Sequence, residues 1–133
     1  MTETFLIDQS LYKLKELFLD SNDLEAFIIS RPLQNLRVIS IKNNKLQVFK
    51  GLDKYCNERL EEVNFEGNEL NYISGVKESY NSIKNLINLK KLNLSHNTIK
   101  QFQASQDQLI FPKLDFINLR KNRLKSYHFL SNA

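Results

Sequence analysis

The side chains best suited to proton transfer, nucleophilic attack or zinc ligation near neutral pH are scarce in this sequence. Its only imidazoles are His96 and His128 and its only thiol is Cys56, in a chain without tryptophan. A histidine becomes a general base for a serine when a carboxylate orients it. His96 has Ser95 beside it and Lys121 expected nearby, but the nearest carboxylates on offer are Glu66 and Glu69. That set lacks a partner placed to complete a triad, so His96 reads as a solvent-facing loop residue. Zinc-ligand spacing, a phosphate-cradling glycine loop and a nucleophile elbow are all missing, since Gly51, Gly67 and Gly75 stand isolated. Cys56, in the segment YCNERL, reads as a small packing residue. The expectation is a non-catalytic chain with no metal, no cofactor and no small-molecule substrate.

The elements that hold these residues are set by a repeat. Five phrases, LKELFLDSNDL, LRVISIKNNKL, LEEVNFEGNEL, LKKLNLSHNTI and LDFINLRKNRL, share apolar residues at places one, four, six and eleven and asparagine at place nine. The asparagines are Asn22, Asn44, Asn68, Asn97 and Asn122, spaced by 22, 24, 29 and 25 residues. Apolar residues two apart, such as Leu92 and Leu94, face one side of a short strand because side chains alternate. The strand must then turn, and an asparagine amide can pair backbone groups that the turn would otherwise bury unpaired. The five asparagines are therefore structural. Ile99 and Phe102 carry the inward row onward, as do Leu46 with Phe49, Leu70 with Ile73, and Leu124 with Tyr127. No single unit covers its own apolar face, so only stacking creates a core.

On these phrases the chain resembles the leucine-rich repeat family from Leu11 to Leu124. LNLSHNTI in particular is similar to the short-repeat intracellular class that includes regulatory subunits of protein phosphatase 1 and ciliary and spliceosomal members. The resemblance implies a right-handed α/β solenoid of five repeats, with a short parallel concave sheet and an irregular or short-helical convex side. It also implies binding of a protein partner, without saying which.

Composition is consistent with one domain over residues 1–133. Residues 1–10 are expected to cover the N-terminal edge, through Phe5, Leu6 and Ile7, residues 11–127 to form the five repeats, and 128–133 a short tail. A single cysteine permits no intrachain disulfide, unlike the cysteine-capped secreted members of the family. The start MTETFLIDQS has neither a basic region nor an apolar stretch of signal-peptide length, and no run approaches membrane-spanning length. The expectation is an intracellular protein, cytoplasmic or nuclear, without membrane contact. Asn93-Leu94-Ser95 matches a glycosylation acceptor, but its strand position and the missing export signal argue against its use.

The longest interval, Ser74 to Asn88, carries Val76, Tyr80, Ile83 and Ile87 at helical spacing. It predicts a short amphipathic helix from Val76 to Asn85, with Ser74 as N-cap. The ending KSYHFLSNA is short for a cap, which leaves two explanations: a longer protein, or a partner covering that end.

Places three, five and seven point out from the strands and form the concave face. They bring together Glu16, Phe18, Asp20, Val38, Ser40, Lys42, Glu62, Asn64, Glu66, Lys91, Asn93, Ser95, Phe116, Asn118 and Arg120. Phe18, Val38 and Phe116 are apolar where exposure is expected, as anchors of a protein interface would be. Asn64, Asn93 and Asn118 form a polar column, read as side chains bonding between repeats. Charge sorts along the chain. Residues 1–74 hold nine Lys and Arg against twelve Asp and Glu, a balance of −3, whereas residues 75–133 hold ten against three, a balance of +7. Lys90, Lys121, Arg123 and Lys125 in the basic half, with Tyr127, His128 and Phe129 beside them, support an alternative: a structural subunit of a ribonucleoprotein, its basic half near RNA. The leading expectation is a protein-interaction module or scaffold that binds on the concave face.

Overall fold

A computed structural model of the protein describes residues 3–103 and 111–125. Five short strands, β2 (Glu16–Phe18), β4 (Val38–Ser40), β6 (Glu62–Asn64), β8 (Lys91–Asn93) and β10 (Phe116–Asn118), lie side by side in that order and pair in parallel. Place three of each phrase faces place three of the next, as in Glu62 opposite Lys91, so the repeat is in perfect register in space as well as in sequence. The middle residues Ile39, Val63 and Leu92, and the sixth-place Ile41, Phe65 and Leu94, are buried. Leu17, Leu19 and Ile117, in the outermost strands, are only partly so. The solenoid expected from the repeat is the architecture observed.

On the opposite side the chain forms a second set of strands where irregular or short-helical connections were expected. β1 (Thr4–Ile7), β3 (Ala26–Ile29) and β5 (Val48–Lys50) make one parallel sheet, and β7 (Tyr72–Ser74) and β9 (Gln101–Gln103) another. The core lies between the two sides, with Phe49 packed on Phe65 at 4.9 Å between ring centroids. At the N-terminal end Phe5 stacks on Phe27 at 6.0 Å while Leu6 stays exposed. The one helix among the described residues, α1 (Leu52–Tyr55), spans a single turn.

Each concave strand ends in the same backbone device. The eighth place takes a left-handed conformation in every phrase, at Ser21, Asn43, Gly67, His96 and Lys121, with φ between 56° and 73°. That reverses the chain within one residue, at a cost of about 1–2 kcal/mol for a residue bearing a Cβ. Glycine appears only at 67, where a Cβ would run into the Asn43 side-chain oxygen.

The helix expected from Val76 to Asn85 is not formed. Glu78, Asn81 and Asn85 have φ of 64°, 60° and 65°, which no right-handed helix accommodates. Instead the segment folds inward and fills the gap between β5 and β7. Asn81 N–H donates to Phe49 O at 2.7 Å, Asn81 O accepts from Ser74 N–H at 2.8 Å, and Ile83 N–H donates to Ser74 O at 3.0 Å. The Asn81 side chain completes the wedge: its Oδ1 accepts from Phe49 N–H and its Nδ2 donates to Tyr72 O. Burial wins over helical periodicity because β5 and β7 would otherwise leave these groups unpaired in the interior. Of the expected apolar stripe only Ile83 is buried, while Val76, Tyr80 and Ile87 face solvent. Ser74 serves a turn, its Oγ accepting from Val76 N–H at 3.0 Å. The segment is pinned to α1 by Glu78 N–H on Asp53 Oδ2 and by the Lys54–Glu78 ion pair at 3.0 Å.

A concave face held by asparagine turns

The turn asparagines do more than shape their own loops. Asn68 Nδ2 donates to Phe65 O and Glu66 O of its own turn and to Ile41 O of the preceding strand segment. Its Oδ1 accepts from Leu46 N–H, again in the preceding repeat. Asn44, Asn97 and Asn122 repeat the arrangement, so each amide rivets two repeats together. These groups are thereby withdrawn from any ligand.

The variable columns remain. Phe18, Asp20, Val38, Ser40, Lys42, Glu62, Asn64, Lys91, Asn93 and Phe116 line one shallow depression of about 280 Å³ on the concave sheet. Glu66, Asn118 and Arg120 are not part of its lining. Phe18 is 60 % exposed and Phe116 49 %, so no described segment covers either ring. Val38, between them and closer to Phe18, is half-buried.

The column of Asn64, Asn93 and Asn118 differs from the expected ladder. Each oxygen accepts from the backbone N–H two residues on, at Glu66, Ser95 and Arg120, over 3.0–3.1 Å. This local turn wins because the N–H two residues on, where the chain leaves the strand, lies within reach of the asparagine side chain. The bond that does cross between repeats is Asn93 Nδ2 to Glu66 Oε1 at 3.0 Å. In the second repeat, where serine replaces asparagine, Asp20 reaches over from the first: its Oδ1 accepts from Ser40 Oγ at 2.7 Å and Lys42 N–H at 2.8 Å. Asp20 and Ser40 are thus structural as well as surface residues, a role the place-by-place pattern did not reveal. Asn64 Nδ2 and Asn118 Nδ2 have no partner among the described residues and remain as donors on the face.

Charged side chains pair along the columns. Lys90 meets Glu61 at 3.5 Å and Lys91 meets Glu62 at 3.8 Å. Both pairs are solvent-exposed and contribute about 0–1 kcal/mol each. Lys121, Arg123 and Lys125 stand exposed in the last repeat. Tyr127, His128 and Phe129 lie outside the described residues.

Ser95, His96 and Cys56 do not assemble into a site. Ser95 is buried and its Oγ donates to Asn93 Oδ1 at 2.7 Å, while His96 is exposed and its backbone N–H donates to Arg120 O. Cys56 is buried, and burial followed by the charge of Asp53 pushes its thiol up to about 12. A thiol held that far above neutral pH supplies almost no thiolate. No group of three His, Cys, Asp or Glu converges among the described residues, and no described helix is long and apolar enough to cross a membrane.

The family model described as Leucine Rich Repeat matches residues 88–107, the unit that contains LKKLNLSHNTI. The match speaks for the family and not for the phosphatase-regulator class within it. No curated protein matches the chain.

Proposed function

The chain is a leucine-rich repeat protein, and from that premise we propose that it is a non-catalytic interaction module whose concave face receives a protein partner. Leucine-rich repeat domains generally mediate protein–protein interaction, typically as scaffolds. The observation that carries the choice of face is the pair of phenylalanines, Phe18 and Phe116, exposed at its two ends. Aromatic side chains left in solvent at the edges of a polar sheet are the groups that gain most from burial by a partner. Five strands at about 4.8 Å make a face on the order of 20 Å across, the width of a helix or a small domain surface. Asn64 and Asn118 add amide donors suited to a partner's carbonyl or carboxylate oxygens.

Phe18→Ala and Phe116→Ala remove exposed rings, so folding is expected to stay intact while capture of partners from native lysate falls. Equal capture by both variants and the wild type would overturn the choice of this face. The reading includes an intracellular setting, where Cys56 stays a free thiol. The ribonucleoprotein alternative rests on Lys121, Arg123 and Lys125, because Lys90 and Lys91 already have carboxylate partners. RNA binding that falls steeply with salt would favour it, and no binding at low salt would sink it.

A further inference from the structure

The first and last repeats carry opposite charges at matching places. With the phrases superposed, Asp115 falls on Lys15, Arg120 on Asp20, Arg123 on Asp23 and, one residue past the phrase, Lys125 on Glu25. One residue before the phrase Lys113 falls on Lys13, a like pair, but the Lys113 ammonium is already held by Asn88 Oδ1 at 2.7 Å. At places two and three, matching side chains of neighbouring repeats come within ion-pair distance, as Glu61 with Lys90 and Glu62 with Lys91. Along place ten the column runs Asp23, Lys45, Glu69, Thr98, Arg123, alternating in sign without direct ion pairs between its described members, and a following Asp23 would continue that longer-range alternation.

The backbone groups at the two ends are complementary too. Inside the solenoid, sixth- and eighth-place N–H groups donate to fifth- and seventh-place carbonyls of the next repeat, as in Ile41 to Asn64 and Asn43 to Glu66. Leu119 N–H and Lys121 N–H, on the outer side of β10, have no such partner among the described residues. The rivet is likewise split: Asn22 Nδ2 bonds only within its own turn, to Leu19 O and Asp20 O, and its Oδ1 is unpartnered among the described residues. Leu124 N–H, the group that such an oxygen accepts elsewhere, is unpartnered in the same sense.

We infer that the concave edge of the first repeat docks on the last repeat of a second copy of this chain, head to tail, with β2 adding in parallel to β10. Asp23 and Glu25 then face Arg123 and Lys125, and Asn22 closes the rivet on Leu119 O and Leu124 N–H. β1 stands one place beyond β2 on the convex side, so the end is stepped and the contact belongs to the concave half and the asparagine turn. A head-to-tail contact leaves one free edge of each kind on a dimer, so association continues past the dimer into a ring or a filament.

Sedimentation velocity of the full chain over a range of concentrations tests this. At low salt the mass is expected to grow beyond dimer with concentration and to fall back towards monomer at high salt. Asp23→Lys with Glu25→Lys, and separately Arg123→Glu with Lys125→Glu, should each weaken association by about tenfold or more, since attraction between the two ends becomes repulsion. An equimolar mixture of the two double variants should restore it, because each reversed end then meets an opposite one. Circular dichroism checks that both variants fold, and the salt dependence of the wild type stands as a test if either does not. A monomer at every concentration at low salt, growth that stops at dimer, indifference to the reversals, or a mixture that fails to recover would each overturn the proposal. Phe18 and Phe116 lie on the two strands that would meet, but neither ring is altered in the reversed variants, so loss of self-association is read separately from capture of a partner by the Phe18→Ala and Phe116→Ala variants.

Discussion

Asn22 and Asn68 occupy the same place in the same phrase, yet only one of them is a rivet. Asn68 is buried and makes four hydrogen bonds, two of them to the repeat before it. Asn22 is exposed and spends its amide on its own turn, because no described repeat precedes it. The lesson is that a repeated residue acquires its energetic role from the neighbour it meets. Identical local chemistry is worth little at the edge and much in the interior, where an unmade bond leaves a backbone group without water.

That contrast is open to breaking. Asn68→Ala should be the most costly change, at about 3 kcal/mol, since it strands Leu46 N–H in the core and leaves Ile41 O only the more distant Asn44 amide, at 3.3 Å. Thermal or urea denaturation measures it, and a loss no larger than at Asn22 would end the distinction. Asn81→Ala comes next, at about 2 kcal/mol, because its backbone bonds survive while Phe49 N–H and Tyr72 O lose the amide. Hydrogen exchange should then speed up at β5 and β7 before it does at β4 and β6. Asn22→Ala should cost less than about 1 kcal/mol in the same denaturation series, as an exposed turn bond does. The smallest effect has the opposite sign. His96→Gly relieves a left-handed residue whose side chain is exposed, and a net gain of about 0.5 kcal/mol is expected after the added freedom of the unfolded chain. A loss of stability there would mean that the imidazole makes a contact of its own.

The helical spacing of Val76, Tyr80, Ile83 and Ile87 is the instructive failure. Periodicity reports which residues are apolar at intervals, and it assumes that the intervals are read by one local structure. Here Asn81, a polar residue off the stripe, decides the conformation through partners more than thirty residues away in sequence at Phe49 and Gln47. The visible trace of this was the stretched step from Asn68 to Asn97, which marked an insertion without revealing where it would go. The concave columns fared differently. Their membership followed from strand alternation, so Phe18 and Phe116 stand in solvent as the pattern required, whereas the commitment of Asp20 to Ser40 and Lys42 depended on which strand came to lie beside it.

Periods of two within a strand, and of 22 to 29 between asparagines, are local properties of the chain. They were enough to assign the inward row, the turns and the outward face, because side-chain direction in a strand follows from backbone geometry alone. Stacking decided the rest: the second sheet behind the core, the wedge at Asn81, the left-handed eighth place tolerated in every repeat, and the asparagine bonds that cross from one repeat to the next. Those features satisfy backbone groups whose partners lie far along the chain, and such partners exist only once the repeats have come together.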